Sequence, residues 1–564
     1  MSCQTRLCRE IIKEEFGIYP ALIANLLLLK GRLTLSDLAK FSRFKTRHVR
    51  ECLVVLIQHG VVYFSETTAD STRVEAPTFY EVDPDKIMMR LRMGRIMRIT
   101  EEHYGKAGSA ICKLLFLYGR VKLGQVVQWA KIHDDKQKDA YVRAFTLMAQ
   151  EQFIAAVLPQ HSRSVTDRYL EAEEKELEKY TIITTGEARQ IKEIAKANAD
   201  AIYHQEEYIG MKRRASDVLQ SEAKRRAQEA GDYTFETEEQ NSEPQGRKKS
   251  KPLLFDIDPN VFFALNYDRY NIYFRNHMVV EFAADRINRT AGIVIKTFFR
   301  HGKEKLKDIK EEYSPATTPS HIANMLDADV FQRGDLLLDP TPNSSSSRNK
   351  KKDLPDVGKV VSGYFQLLQL DNAGFLKRRD ELGANQYAVN FKRVRHVMKR
   401  HLFEGLLKER FGIASCRIVR ILLEKGKLEE SQIQKLAMLP PKDVRLKLGV
   451  LLTQGIVSVQ EVPRSADRAT SRSFHLWFVS IDKCFDELIT DIYRTITNLQ
   501  QRKNEELARR SRLLEKLSRI DVLANMELLN EIDKAEVSKM ENVVSRIEIA
   551  KDRLDAMLMI LRDF

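Results

Sequence analysis

The stretch LTLSDLAKFSRFKTRHVRECLVVLIQHGVVYF, residues 33–64, decides the fold. Leu33-Thr-Leu35-Ser36-Asp37 starts a short helix with Leu38 and Phe41 expected on its inner face. A polar turn, Ser42 to Thr46, leads into a longer helix. Its apolar positions Val49, Leu53, Leu56 and Ile57 follow the spacing of a helix with one buried side. Gly60 ends that helix, and Val61 to Phe64, β-branched and aromatic, reads as a strand. Upstream, the apolar run Leu22 to Leu29 ends at Gly31, a helix C-cap residue. Helix, short helix, helix and β-hairpin make a helix-turn-helix with a wing.

The same unit returns 395 residues later without a gap. Residues 14–64 align on 409–459, with 19 of 51 positions identical. Phe16-Gly17-Ile18 recurs as Phe411-Gly412-Ile413, Lys30-Gly31 as Lys425-Gly426, and Gly60 as Gly455. A fixed register over that length implies one folding unit used repeatedly. Two weaker copies lie between. The first runs from Leu114–Gly119 through Val126, Trp129 and Val142–Met148 to a strand at Phe153–Leu158. The second opens at Ile293–Gly302 and resumes at Tyr364–Leu370 and Gly374–Leu376. Short tails that pass from strand to helix follow each copy: Tyr80–Pro84, Phe255–Pro259, Tyr387–Asn390 and Trp477–Ser480.

The expected fold is therefore mainly α with small β wings: four tandem extended winged helices and a C-terminal α-helical coiled-coil hairpin. The expected boundaries are 1–100, 101–280 with a partly disordered wing insertion at about 160–250, 281–402 with a loop at about 340–355, 403–495, and 496–564 for the hairpin. The insertion is expected because residues 201–251 balance ten basic against ten acidic side chains with few large apolar ones, too little to offset ordering entropy. The Pro-, Ser- and Lys-rich run from Pro340 to Lys352 marks the loop. From Ile481 to Phe564 there is no Gly or Pro, and two apolar stripes, Leu499 to Ile520 and Val537 to Leu561, point to an antiparallel pair bending near Met526–Asp533.

Composition narrows the function. At 564 residues with 43% hydrophobic and 30% charged side chains, the chain reads as a multidomain soluble protein. No apolar run approaches a membrane span, and the charged N-terminus lacks a signal-peptide core. Six scattered cysteines contain no Cys-x-x-Cys pair, which argues against a zinc finger. No phosphate loop, nucleophile elbow or zinc-protease helix is present. No catalytic residue, cofactor or metal ligand is expected, nor a small-molecule substrate or a membrane. His48 and His59 fall near one face of one helix, read as polar positions rather than ligands. A net charge of +14 favours a polyanionic neighbour.

The candidate DNA-binding residues are basic. Arg43, Lys45, Arg47 and Arg50 surround the start of the third helix of copy one, where a helix-turn-helix meets phosphates. Lys442, Arg445 and Lys447 occupy the matching place in copy four, and Lys392, Arg393 and Arg395 follow the wing of copy three. Each set has the alternative reading of a solvated face, and winged helices also serve as protein-docking modules.

The stretches Leu33–Leu38, His59–Val62, Phe79–Pro84 and Phe411–Ile413 to Gly455–Val457, with the helical end, resemble the four-winged-helix subunit family of RNA polymerase III. That resemblance implies a nuclear, non-catalytic subunit that docks on the polymerase clamp. It also implies two smaller partners in an initiation heterotrimer, and help in opening double-stranded and holding single-stranded promoter DNA. The first winged helix is also similar to that of the large TFIIE subunit, whose zinc ribbon this chain lacks. A TFIIE-like factor and a winged-helix scaffold outside transcription are the other readings.

Overall fold

The computed structural model describes residues 2–66, 77–130, 135–179, 185–206, 209–213, 255–302, 305–326, 357–379, 385–463, 473–525 and 529–564. They form two compact units that divide between Tyr270 and Asn271.

The first unit opens with helix α1 (Cys3–Phe16), capped by the Ser2 hydroxyl, which accepts the Thr5 N–H at 3.1 Å. Gly17, at φ +91°, breaks it from α2 (Ile18–Lys30). That left-handed value is open to glycine at little cost. Strand β1 (Leu33–Thr34), α3 (Leu35–Ser42), α4 (Thr46–Gln58), β2 (Val62–Glu66) and β3 (Thr78–Val82) complete the winged helix. The sheet order is β1-β3-β2, antiparallel, with Leu33 opposite Tyr80 and Val62 opposite Val82. Ile23, Leu27, Leu38, Val49, Leu53 and Leu56 build the core beneath it. Phe41 departs from expectation. It is exposed, and the Lys30 ammonium lies 3.0 Å from its ring centre. Eight residues make barely two turns, and Leu38 alone of α3 is buried.

Asp83 caps α5 (Pro84–Met89), with Pro84 at the first helical position. Helix α6 (Met93–Tyr118) follows and is broken at Gly105, φ +73°. Tyr104-Gly105-Lys106 thus repeats the Phe16-Gly17-Ile18 break, so α6 is at once the tail of copy one and the opening of copy two. Copy two continues with α7 (Leu123–Trp129), α8 (Asp135–Gln150) and β4 (Ile154–Ala156). Between β4 and its wing partner lie α9 (Val165–Leu177) and α10 (Thr185–Glu206), packed on one another, and β5 (Met211–Arg213) paired with β6 (Phe255–Ile257).

The structure corrects the expected tail of copy two. Phe255–Ile257 is not the returning wing strand. Asp258-Pro259 makes a turn, in which the Asp258 carboxylate accepts the Asn260 N–H at 2.9 Å. The strand that pairs with β4 is β7 (Phe263–Leu265), Ile154 opposite Leu265. Phe263 and Leu265 are buried, whereas Phe255 and Ile257 are half-buried, so the period-2 pattern of β7 carries the core contact. Val121, bridged to Phe263, stands where β1 stands in copy one. The rest of the proposed insertion, 180–184, 207–208 and 214–254, lies outside the described residues.

Helix α11 (Tyr267–Arg286) leads to α12 (Arg289–His301), α13 (Pro319–Met325), α14 (Val357–Leu370), β8 (Leu376–Arg378) and β9 (Tyr387–Val389). Bridges from Tyr313 to Asn390 and Thr317 to Tyr387 supply the missing first strand. Phe298, Tyr364, Phe365, Phe375, Val389 and Phe391 form the core. The buried Arg275 donates to the carbonyls of Asp308 and Ile309 at 3.2 and 2.9 Å, its guanidinium 3.8 Å from the Phe391 ring centre. This pins the extra segment that delays the first strand. The expected loop at about 340–355 lies outside the described residues.

Copy four repeats copy one element for element: α15 (Phe391–Phe411), α16 (Ile413–Lys425), β10 (Leu428–Glu429), α17 (Glu430–Ala437), α18 (Pro441–Thr453), β11 (Ser458–Pro463) and β12 (Ser473–Phe478), again in sheet order 1-3-2. Gly412, Gly426 and Gly455 reproduce the positive φ of Gly17, Gly31 and Gly60, and Met438 (φ +53°) reproduces that of Arg43 (φ +59°). Helices α19 (Ile481–Arg509), α20 (Ser511–Leu517), α21 (Ile520–Ala524) and α22 (Glu531–Leu558) follow. Lys503–Glu548 at 2.6 Å, Lys551–Gln500 at 2.5 Å and Lys516–Asp533 at 2.9 Å tie positions running in opposite directions. The last helices therefore pair antiparallel with each other. Ile520, expected on the apolar stripe, is 87% exposed, because the first helix is interrupted at Arg510 and again at Ser518 and its phase is lost.

Candidate nucleic-acid and docking surface

The α3–α4 turn of copy one sets the first candidate group. Arg43 ends α3 in the left-handed conformation and Lys45 is the N-cap residue of α4. Arg43, Lys45, Arg47 and Arg50 are all exposed. Arg47 meets Glu51 one turn on at 3.0 Å, and His48 reaches the same carboxylate at 3.5 Å. These hydrogen bonds, Arg47 first, hold the Glu51 carboxyl below the usual range. Such an exposed pair is worth little in water, so Arg47 can exchange Glu51 for a phosphate at small cost. Tyr19 packs edge-on to Phe44 at 5.4 Å beside this turn.

The wing of copy one is engaged elsewhere. Arg32 donates to Glu81 at 2.6 Å, Asp167 at 2.8 Å and Ser164 at 3.0 Å. Ser164 also bonds Glu81, and its N–H donates to the Phe64 carbonyl at 3.1 Å. The start of α9 thus lies along β2 and β3, and the exposed helix α4 is left as the approach to this module. At the other end of α4, Gln58 donates to the carbonyls of Tyr118 and Arg120, and Arg120 donates back to that of Ile57 at 3.1 Å. None of this was legible in the sequence, because the partners are 49 to 135 positions apart and obey no periodicity.

In copy four Lys442 and Arg445 are exposed and Lys447 half-buried. Arg445 crosses to Glu430 at 2.6 Å. The positions matching Arg43 and Lys45 are Met438 and Pro440, so this turn carries apolar groups where copy one carries charge. The copy-three residues have structural partners. Lys392 pairs with Glu312 at 2.9 Å, and Arg393 lies over Gly374 and donates to the Asn372 carbonyl at 3.1 Å. Arg395 is half-buried and lines a small cavity with Arg275, Phe391, Met398 and Phe564.

His48 and His59 do not share an environment. His48 is exposed, while the His59 ring packs at a 60° tilt against Phe16, centroids 4.7 Å apart. Burial, with Arg90 and Arg120 adding to it, lowers its pKa to about 4. Among the described residues no cluster of three or more His, Cys, Asp or Glu could hold a metal ion, and no helix is long and apolar enough to cross a membrane.

Four modules of one winged-helix topology, one with an exposed basic helix start, define a tandem winged-helix protein. Sequence comparison makes that specific. Residues 6–67 match the RNA polymerase III subunit RPC82 helix-turn-helix domain, 143–398 match RNA polymerase III subunit RPC82, and 403–479 match the POLR3C C-terminal winged-helix domain. The DNA-directed RNA polymerase III subunit RPC-3 of Coccidioides immitis is 25% identical, over 99% of both chains. Subunit RPC3 of Danio rerio is 22% identical over 100% of this chain and 98% of its own, and that of Yarrowia lipolytica 23% over 99% and 97%. The chain belongs to the RPC82/RPC3 family of RNA polymerase III subunits, and its function is in transcription by that polymerase, as a partner of its other subunits.

Proposed function

We propose that the chain is a non-catalytic nuclear subunit that docks on the polymerase clamp with two smaller partners and helps open promoter DNA. In this reading residues 1–100, 101–280, 281–402 and 403–495 are four extended winged helices and 496–564 an assembly hairpin. Copy one grips DNA through Arg43, Lys45, Arg47 and Arg50, whereas Lys442, Arg445 and Lys447 of copy four border an apolar turn that is not assigned a DNA contact, and Lys392, Arg393 and Arg395 are mainly structural. The observation that carries the reading is the exposed basic start of α4, where Arg43, Lys45, Arg47 and Arg50 surround a helix N-terminus that no side chain caps. No Asn or Gln stands among these residues to read adenine, so the contact is to phosphate and blind to sequence. Permanganate footprinting of a promoter with reconstituted polymerase tests this. Arg43, Lys45 and Arg47 changed together to Glu should reduce strand opening severalfold while assembly is retained; undiminished opening overturns it.

A further inference from the structure

The turn that copy one devotes to charge is apolar and uncovered in copy four. Met438 is 86% exposed and sits in the left-handed region at φ +53°. A non-glycine residue there costs free energy, and an exposed thioether recovers none of it by burial. Leu446 (65%) and Val450 (42%), one turn apart on the outer side of α18, extend the patch, and Leu436 (46%) flanks it. Ile413 (65%) joins it from α16. One turn beyond Ile413, Arg417 donates to the Ala437 carbonyl at 3.2 Å, immediately before Met438. The inner side of α18 is occupied by the buried Val444, Leu448 and Leu451, so these outer residues are surplus to the core.

Copy one is an internal control. The residues matching Met438, Leu446 and Pro440 are Arg43, Glu51 and Lys45, all exposed and charged, while those matching Ile413, Leu436 and Val450 are Ile18, Phe41 and Val55, exposed and apolar in both copies. The two copies therefore differ at the turn and the first half of the third helix, where copy one places charge in the middle of the face and copy four places Met438, Pro440 and Leu446. Around the copy-four patch Arg417, Lys435 and Lys442 are exposed and Lys447 half-buried. Arg445 is already matched by Glu430, which leaves Asp443 as the opposing charge at the start of α18. The rim is therefore cationic around an apolar centre.

We propose that this face of copy four is a docking site for an acidic polypeptide segment bearing large apolar anchors, supplied by another protein of the assembly. Apolar side chains would cover Met438, Leu446 and Val450, and flanking carboxylates would meet Lys435, Lys442 and Arg417. DNA is disfavoured because the centre of the patch offers phosphate no donor, and a second copy is disfavoured because two cationic rims would face each other.

The test is site-specific photocross-linking in the polymerase assembled with the full chain. p-Benzoylphenylalanine is placed at Met438 in one preparation and at Arg43 in another. The proposal expects the Met438 probe to capture a peptide from a different chain with an excess of Asp and Glu and at least two large apolar residues. The Arg43 probe should instead capture DNA. The captured peptide, made synthetically, should then bind the isolated full chain, and Met438→Asp with Leu446→Asp should weaken that binding at least tenfold without shifting the melting temperature. A Met438 cross-link to DNA, to a second copy or to a basic peptide overturns the proposal, as does no cross-link. Loss of the chain from the polymerase with the unmodified protein would instead count against the assembly reading above.

Discussion

At the scale of single residues, His59 carries a pH dependence that the fold imposes. It closes α4, its ring lies against Phe16, and its buried Nδ1 has no hydrogen-bond partner. With its pKa held near 4 in the folded state and at about 6.5 unfolded, protonation favours the unfolded chain. Its neutral state is therefore fully compatible with folding above pH 6.5, and stability is lost as the pH falls toward 4. The loss at pH 5 is about 2 kcal/mol. Hydrogen exchange of residues 53–64, corrected for intrinsic rate, should accelerate between pH 7 and 5 in the native chain. It should change much less in His59→Phe, which keeps the ring but cannot titrate. The spacing of His48 and His59 was readable from sequence; their opposite environments were not. Burial is the main cause of the lowered His59 pKa, and the charges of Arg90 and Arg120, 31 and 61 positions further along the chain, add to it.

At the scale of elements, the junction between α4 and the end of α6 admits no side chain. Gly119 has φ +78°, and a Cβ there would stand 2.4 Å from the Gln58 carbonyl oxygen. Gly119→Ala should cost about 2–4 kcal/mol through strain and clash and lower the first thermal transition. Gly124→Ala, where a Cβ would meet nothing within 4 Å, should leave it unchanged within a degree or two. The insertion between β4 and β7 gives a second prediction. Arg213 lies opposite Phe255, so replacing residues 216–252 with a short Gly/Ser bridge should shift the melting temperature by only a few degrees. A deletion of 205–250 also removes β5 and should be more damaging. Glycine positions and apolar spacing made copies one and four legible, because each glycine marks a backbone state few other residues adopt. The tail of copy two was not legible, because Phe255-Asp-Ile257-Asp-Pro259 and Phe263-Ala-Leu265-Asn266 both look like a strand turning into a helix. Pairing with β4, a tertiary choice, separates them.

At the scale of the whole molecule, the C-terminal hairpin has a base and a shaft. The base packs on copy four, with Phe485 at 6.0 Å from Phe403 and the Cys484 thiol against the Ile456 carbonyl at 3.3 Å. The shaft beyond the Lys503–Glu548 pair extends from it. Excising 504–547 with a short closing loop should leave thermal unfolding nearly unchanged and reduce co-purification with polymerase severalfold. Equal recovery would deny the hairpin an anchoring role. On the proposals above, the basic turn of copy one meets DNA and the apolar turn of copy four meets protein, a division of roles along the chain. The most direct test of that division is fluorescence anisotropy of the full chain on unrelated DNA duplexes across a series of salt concentrations. With Arg43, Lys45 and Arg47 changed to Glu, affinity should fall alike on every duplex, and the log–log salt slope should become shallower by about 0.9 for each phosphate no longer neutralised. An unchanged affinity and slope would contradict the account, and would mean that the first winged helix meets protein rather than DNA.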